Sequence, residues 1–253
     1  MTEQNKNIIL YTEGLCRNFG SLCAVSDVSI SVPQGQMRAV IGPNGAGKST
    51  LMDLIIQKTT PSKGKVFFCG QEITGMPTYK ISNLGMSKCF QITQIFSALT
   101  VFENVRMSLI VDHKKVFNIL PVNRRYLREE TMQILSYVHM EDKADIIAKN
   151  LSYGDQRRLE IAITLAKRPK LMILDEPAAG VARAESYALM DLIRDLKQKL
   201  NMTMMFIEHD MDIVWNYADE ISVLNLGKLV ASGTPDEIRN NDFVQKAYMG
   251  GGQ

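Results

Sequence analysis

The sequence predicts an α/β fold in which buried strands form the core and a helical lobe is inserted between two of them. Three observations favour this fold. A short apolar run at 37–41 enters a glycine-rich loop and then a helical pattern. A wholly apolar run at 171–174 is typical of a parallel strand that is buried on both faces. From about Gln91 to Asn150 helical patterns alternate with polar stretches, and 253 residues suffice for one core with such an insertion.

Local patterns predict the remaining elements in chain order. Alternating or continuous apolar residues predict strands at 28–32, 65–69, 204–207, 221–224 and 229–231, the last two forming a hairpin. Apolar residues at helical spacing predict helices after Lys48, over 124–138 and over 189–200. The chain therefore alternates strands with helices, as an α/β core requires.

Composition bounds the classes of function. A net charge of +2 provides no basic field for nucleic acid, so we expect no nucleic-acid partner. The distant thiols, Cys16, Cys23, Cys69 and Cys89, favour reduced structural cysteines over disulfides or zinc. The N-terminus lacks a signal-peptide pattern, and no window approaches the roughly 18–20 apolar residues of a membrane span. We expect a chain that is soluble in isolation and meets a membrane through a partner.

The loop after the strand at 37–41 carries a phosphate-binding pattern. Residues 42–49 fit GxxxxGK[ST] without a mismatch. Glycines let successive backbone N–H groups point at one anion, and the helix that follows adds its positive dipole end. Lys48 is expected to neutralise the β- and γ-phosphate oxygens, and the Ser49 hydroxyl to ligate Mg²⁺. The predicted ATP-binding residues of this P-loop are Gly42, Asn44, Gly45, Gly47, Lys48, Ser49 and Thr50.

Two carboxylates, Asp175 and Glu176, follow the buried strand at 171–174. The carboxyl edge of a parallel sheet is where ligands of open α/β folds bind, so Asp175 is expected beside the P-loop. Its oxygens suit Mg²⁺, directly or through water. Glu176 is then the candidate that polarises the attacking water. The alternative, two solvated carboxylates at a strand end, is disfavoured by the P-loop upstream.

A further motif at 151–158, Leu-Ser-Tyr-Gly-Asp-Gln-Arg-Arg, is similar to the signature motif of ATP-binding cassette (ABC) ATPases. With the motifs above, the chain resembles that family over nearly its whole length. The resemblance implies a single domain, 1–253, with a P-loop NTPase (RecA-like) core at about 8–88 and 158–232. It also implies an N-terminal antiparallel β subdomain, an inserted α-helical subdomain at about 89–157 and a C-terminal tail at 233–253.

The same resemblance assigns roles outside the P-loop. It implies that Ser152, Gly154 and Gln156 bind the nucleotide held by a second ATPase subunit, so that a complete site needs two chains. A glycine-containing helix N-terminus is physically suited to close over phosphates. Gln91 resembles the Q-loop glutamine that senses Mg²⁺ and water, and His209 resembles the switch histidine that reaches the γ-phosphate.

For the adenine base, the resemblance implies stacking on Phe19, with Tyr11 as a weaker rival. Two positions depart from the family pattern. Ala182 stands where an aspartate is usual in the loop after Pro177, and Asp155 places an acidic side chain in the signature motif. The effect of both departures on coupling between the two sites is left open.

Four stretches, at 151–162, 175–180, 207–211 and 233–250, resemble the ATPases of branched-chain amino-acid importers. That branch implies two transmembrane permease subunits, a periplasmic or extracellular solute-binding protein acting indirectly, and attachment at the cytoplasmic face of the inner membrane. The ATPase dimer can be homomeric or heteromeric. Import of urea or amides, export of lipid or lipopolysaccharide, and a soluble non-transport ABC ATPase remain alternatives. A small-molecule kinase is disfavoured because it would not need the signature motif.

Overall fold

The computed structural model of the chain describes residues 7–89, 95–112 and 124–246. The strands are β1 Ile8–Phe19, β2 Leu22–Val28, β3 Ser31–Pro33, β4 Met37–Ile41, β5 Lys63–Phe68, β6 Gln71–Glu72, β7 Met86–Cys89, β8 Leu171–Asp175, β9 Thr203–Ile207, β10 Glu220–Asn225 and β11 Lys228–Gly233. The helices are α1 Lys48–Ile55, α2 Thr78–Leu84, α3 Val101–Asp112, α4 Arg124–Tyr137, α5 Tyr153–Leu165, α6 Arg183–Leu200, α7 Met211–Tyr217, α8 Pro235–Arg239 and α9 Asp242–Val244.

The core sheet runs in the order β11-β10-β4-β9-β8-β7. Its strands from β10 to β7 are mutually parallel, and β11 returns antiparallel to β10 as the predicted hairpin. All residues of β4, β8 and β9 are buried, which explains why their sequences are largely apolar. Because these strands are parallel, their carboxyl ends meet at one edge, where the P-loop and the Asp175 strand end also lie.

A second sheet covers the N-terminal part in the antiparallel order β2-β1-β5-β6, with β3 also paired to β1. The continuous strand predicted at 28–32 is wrong, because β2 ends at Val28 and β3 begins at Ser31. The side chain of Thr12 enters the ladder there: its Oγ1 donates to the Val28 carbonyl at 3.2 Å and accepts from the Ile30 amide at 3.0 Å. The alternating burial is nevertheless as predicted, since Val28, Ile30 and Val32 are all buried.

The inserted lobe contains α3, α4 and the first half of α5. Its apolar interior is continuous with the face of the core sheet and includes Val105, Leu109, Leu135 and Leu159. The helix predicted at 124–138 matches α4 within one residue. Helix α5 passes through 157–158, the proposed border between lobe and core, and its far end meets β7, where Cys89 Sγ lies 2.9 Å from Thr164 Oγ1. The predicted fold class is confirmed, while the subdomain borders stay a prediction.

Across the three described ranges, no helix has both the length and the apolar composition that crossing a membrane requires.

Candidate nucleotide site

The loop between β4 and α1 is shaped by glycines that no other residue could replace. A Cβ atom on Gly42 would lie 2.3 Å from the Leu224 carbonyl oxygen, and one on Gly47 would lie 2.4 Å from the Ala24 carbonyl oxygen. Gly47 also has a φ of 97°, in the left-handed region that side chains disfavour. The hairpin of β10 and β11 and strand β2 therefore press on this loop and fix its curl.

Lys48 is the first residue of α1, and its side chain is buried against the loop. Its Nζ atom donates to the carbonyl oxygens of Gly42 at 2.7 Å and Pro43 at 3.1 Å. Burial lowers the pKa of Lys48, and the charges of Glu176 and Asp175 oppose that shift. The ammonium group is thus held at the position where the sequence predicts phosphate oxygens.

Asp175 ends β8 and is buried. Its Oδ2 atom lies 2.9 Å from the Nζ atom of Lys88, which also lies 3.0 Å from Asp53 Oδ1. The Oδ1 atom of Asp175 is buried and has no hydrogen-bond partner within the part of the chain that the structure describes. A buried carboxylate oxygen without a partner is costly, so Oδ1 calls for a ligand such as a metal ion or its bound water.

Mg²⁺ fits this donor set. Hard oxygen ligands suit Mg²⁺, which usually binds through one or two protein groups together with waters and substrate phosphates. In the described ranges, no group of three His, Cys, Asp or Glu side chains could hold a metal ion by itself. The metal ligands that the sequence predicts, Ser49 and Asp175, both carry hard oxygen donors of the kind that Mg²⁺ prefers.

Glu176 and His209 contact each other at the carboxyl ends of β8 and β9. The Nε2 atom of His209 lies 3.0 Å from the Oε1 atom of Glu176. Glu176 has a φ of 54°, unusual for a residue with a side chain, and its amide donates to the Ile207 carbonyl oxygen at 3.0 Å. The backbone therefore turns sharply after Asp175 and directs Glu176 to the histidine.

A cavity of about 480 Å³ brings Glu176 and His209 together with the P-loop. It is lined by the P-loop from Asn44 to Thr50, by Glu176 and His209, and by Phe19, whereas Gly42 and Asp175 do not line it. The guanidinium of Arg17 lies 4.7 Å from the centroid of the Phe19 ring, which remains about half exposed. Tyr11, in contrast, stacks on Phe67 with ring centroids 4.3 Å apart. This placement favours Phe19 over Tyr11 as the adenine platform.

The signature residues do not line that cavity. Ser152 caps the N-terminus of α5, where its Oγ accepts from the Asp155 amide at 3.2 Å, and it lines a separate cavity of about 230 Å³ with Gly154. The Nε2 atom of Gln156 donates to the Leu151 carbonyl oxygen at 3.2 Å. One chain thus keeps its signature motif apart from its own P-loop.

The charge of Asp155 is balanced locally. Its Oδ2 atom lies 2.7 Å from the Nζ atom of Lys143 and accepts a hydrogen bond from Ser152 Oγ at 3.0 Å. An acidic residue in the signature motif is therefore paired with a cation.

Sequence reasoning missed Glu208, which lies between the strand β9 and His209. The Glu208 carboxylate is buried and accepts from the Ala178 amide at 2.8 Å and from the His209 amide at 3.3 Å. Burial raises the pKa of Glu208, and the nearby Glu176 charge acts in the same direction. The available signal was an acidic residue directly after the apolar run 204–207. Gln91 lies outside the described residues.

Known proteins match this chain over most of its length. A family model described as ABC transporter matches residues 25–179, and one described as branched-chain amino acid ATP-binding cassette transporter matches residues 228–253. The high-affinity branched-chain amino acid transport ATP-binding protein BraF of Pseudomonas aeruginosa is 39% identical, with 96% of this chain and 98% of that protein covered. The corresponding LivG protein of Salmonella typhimurium is 36% identical over the same shares of the two chains.

Among solved structures, the chain is similar to the ADP conformation of an ATP-binding cassette of an ABC transporter. The TM-score is 0.85 and the sequence identity 31%, with 96% of this chain and 99% of that chain covered.

Proposed function

The chain belongs to the ABC transporter family as an ATP-hydrolysing subunit, and from this premise we propose that it powers the import of amino acids, branched-chain amino acids in particular. The observation that supports hydrolysis most directly is the Glu176–His209 contact at the mouth of the P-loop cavity. The solute class is supported by the two curated relatives and by the match of residues 228–253 to the branched-chain family.

ATP is proposed to bind with its phosphates in the loop from Gly42 to Thr50. Lys48 neutralises the β- and γ-phosphate oxygens, because its ammonium is already held at the loop carbonyls. The base stacks on Phe19, whose ring Arg17 supports from one side. The aromatic ring contributes apolar contact area to a cavity whose lining also carries the charged groups of the P-loop and Glu176.

Mg²⁺ is proposed to be held by Ser49 and by the Oδ1 atom of Asp175. When bound there, the ion would supply positive charge that offsets the phosphate charge and makes the γ-phosphorus easier to attack. Lys88 holds the other oxygen of Asp175, so the carboxylate presents Oδ1 in a fixed direction. Gln91 is the further ligand that the sequence predicts.

Glu176 is proposed to accept a hydrogen bond from the attacking water and to take its proton. The water oxygen then bonds to the γ-phosphorus as the bond from that phosphorus to the leaving oxygen of ADP breaks. The contact of 3.0 Å between Glu176 Oε1 and His209 Nε2 keeps the Glu176 carboxylate at the cavity. His209 lines the same cavity with its side chain half exposed, and it is suited to contact the γ-phosphate beside Glu176. Gln91 is predicted to complete the set.

Two ATPase subunits are proposed to sandwich two nucleotides. The separation of the signature motif from the P-loop within one chain supports this arrangement, because Ser152, Gly154 and Gln156 can then serve the nucleotide of the partner. Two permease subunits would carry the motion through the membrane, with a solute-binding protein acting on their outer side. The ATPase would then lie on the cytoplasmic face of the inner membrane, bound peripherally to the permease.

Reconstituted transport tests this function. The chain would be purified with the permease subunits with which it associates, placed in liposomes with the solute-binding protein, and assayed for ATP-dependent uptake of labelled leucine, isoleucine and valine. Lys48→Ala provides the matched control, and urea provides the competing solute. We expect uptake of the branched-chain amino acids that Lys48→Ala abolishes. Uptake of urea alone, or hydrolysis stimulated by lipid without uptake, would contradict the proposal.

A further inference from the structure

We propose that Glu208 is a positioning residue for ATP hydrolysis, whose buried carboxylate fastens the loop after Glu176 to the backbone of His209. This inference rests on the proposed roles of Glu176 and His209. Glu208 itself does not line the nucleotide cavity. It acts through the two residues that do.

The contacts of Glu208 form a closed circuit. Its Oε1 atom accepts from the amide of Ala178, which lies two residues after Glu176, and its Oε2 atom accepts from the amide of His209. The Glu176 and His209 side chains then meet at 3.0 Å and close the ring. Hydrogen bonds from amides to an ionised carboxylate are stronger than those between neutral groups. One side chain thus fixes both ends of the Glu176–His209 pair.

The position of Glu176 needs such support. Its φ of 54° is a strained conformation for a residue with a side chain, and strain of this kind persists only where the surrounding structure over-determines it. The Glu176 amide donates to the Ile207 carbonyl oxygen, and the Ala178 amide, two residues later, donates to the Glu208 carboxylate. Loss of the second hydrogen bond would let the loop relax and would move the Glu176 carboxylate.

The same loop also touches the signature helix. A Cβ atom built on Gly180 would lie 3.3 Å from the Tyr153 ring, so the ring packs on the loop backbone. Farther along, Ala182 precedes α6 and has no side-chain acceptor to cap that helix. The loop from Pro177 to Ala182, which carries Ala182 where an aspartate is usual in the family, therefore contacts both Glu208 and Tyr153.

Stability alone does not explain a carboxylate here. Glu208 is 6% exposed, and burial disfavours its charged form, as does the neighbouring Glu176 charge. Buried charges are frequently no more stabilising than well-packed neutral residues of similar volume. A glutamate that accepts two amides beside the hydrolytic residues is better explained by the geometry it imposes on them.

The test compares Glu208→Ala and Glu208→Gln with wild type. The alanine variant loses both acceptors, and we expect its kcat to fall at least about tenfold with the KM for ATP within about threefold, because a positioning contact acts in the transition state. The glutamine variant keeps an oxygen for the Ala178 amide but places an NH₂ group against the His209 amide. Its kcat should lie between those of wild type and Glu208→Ala.

Glu220→Gln is the matched control. Glu220 begins β10 at the opposite edge of the sheet, where its carboxylate contacts Arg38 and Gln36. We expect this variant to lower Tm without lowering kcat. Should Glu208→Ala fail to fold, the comparison of Glu208→Gln with Glu220→Gln decides: a lower kcat in the former alone supports the positioning role, and equal kcat values overturn it.

Hydrogen exchange of the Ala178 amide provides a readout that does not depend on ATP hydrolysis. We expect this amide to exchange at least about tenfold faster in Glu208→Ala than in wild type, and near the wild-type rate in Glu208→Gln. Unchanged exchange together with unchanged kcat in Glu208→Ala would overturn the inference. If wild type did not hydrolyse ATP, the proposed function would fall, whereas the exchange measurement would still report on Glu208.

Discussion

The Nε2 atom of His209 and the Oε1 atom of Glu176 lie 3.0 Å apart, although 33 residues separate them in the chain. They meet because β8 and β9 are adjacent parallel strands with Asp175 opposite Ile207. Glu176, one residue after Asp175, and His209, two residues after Ile207, therefore emerge at one sheet edge. The strained turn at Glu176 directs its side chain to the histidine. This is the pair that we propose to activate water beside the P-loop.

Removal of the imidazole should therefore impair hydrolysis more than binding. For His209→Ala we expect kcat to fall by about 10²-fold, the lower end of what a positioned acid–base group contributes. The affinity for ATP should change by less than about threefold. His209→Gln, which retains a hydrogen-bonding group, should keep more activity than alanine. Steady-state hydrolysis and equilibrium nucleotide titration measure the two quantities, and a parallel loss of binding would contradict the assignment.

The Lys143–Asp155 ion pair is expected to protect nucleotide-driven dimerisation. Lys143→Met leaves the Asp155 charge uncompensated in the signature motif, close to where the partner's phosphates should bind. Both side chains are partly exposed, so we expect a modest weakening of the dimer, about two- to fivefold in Kd. Asp155→Asn, added to Lys143→Met in the same chain, should restore the affinity of the dimer. Four proteins are compared by sedimentation in a Glu176→Gln background: the unchanged pair, each single substitution and the double substitution. Strictly additive effects of the two substitutions on the dimer Kd would contradict coupling between the two side chains.

Cysteine labelling should report occupancy of the cavity. Cys23 is exposed and lines the cavity beside Phe19, whereas Cys69 is exposed elsewhere. Saturating Mg-ATP should slow maleimide labelling of Cys23 at least about tenfold, because only the unoccupied fraction reacts. Cys69 serves as the internal control. Burial raises the pKa of Cys89 to about 12, so that thiol should stay unlabelled in both conditions. Peptide mass spectrometry measures all three, and equal labelling of Cys23 with and without ATP would place the nucleotide elsewhere.

Stability should depend on pH through Glu208. Burial raises its pKa above the unfolded value of 4.5, so the native state binds the proton more tightly than the unfolded state. Wild type should therefore lose stability relative to Glu208→Gln as pH rises from below 4.5 through the raised pKa. For a chain of this length, a change of about 1 kcal/mol in the free energy of unfolding shifts Tm by about 2–4 °C.

Thermal melts of the two proteins between acid and neutral pH check the sign. The Tm of Glu208→Gln minus that of wild type should increase with pH. A difference that decreases with pH would contradict a raised pKa for Glu208.

The parts of the site that could be predicted are those that short, contiguous sequence motifs encode. The P-loop glycines, Lys48 and the Asp175–Glu176 pair sit in short motifs next to strands, and parallel pairing alone brings strand ends together. The fold class followed from the same alternation of strands and helices. Site roles for these residues stay predictions, as does the role of Gln91.

Other features depend on distant contacts that no local pattern records. Glu208 acts on Ala178, 30 residues earlier, and Asp155 finds Lys143 across a turn in the lobe. The break between β2 and β3 depends on the Thr12 side chain, which pairs with positions 16 and 18 residues away. The partner of each of these side chains can be identified only when the tertiary structure is known.

The mass of Glu176→Gln in solution, with and without Mg-ATP, tests hydrolysis by a two-chain site most directly. Analytical ultracentrifugation would compare this variant with wild type and with Lys48→Ala. We expect Mg-ATP to convert Glu176→Gln to a stable dimer, wild type to form it only transiently, and Lys48→Ala to remain monomeric. A Glu176→Gln chain that stays monomeric with ATP bound, or that hydrolyses ATP at the wild-type rate, would contradict the two-chain site and the role of Glu176.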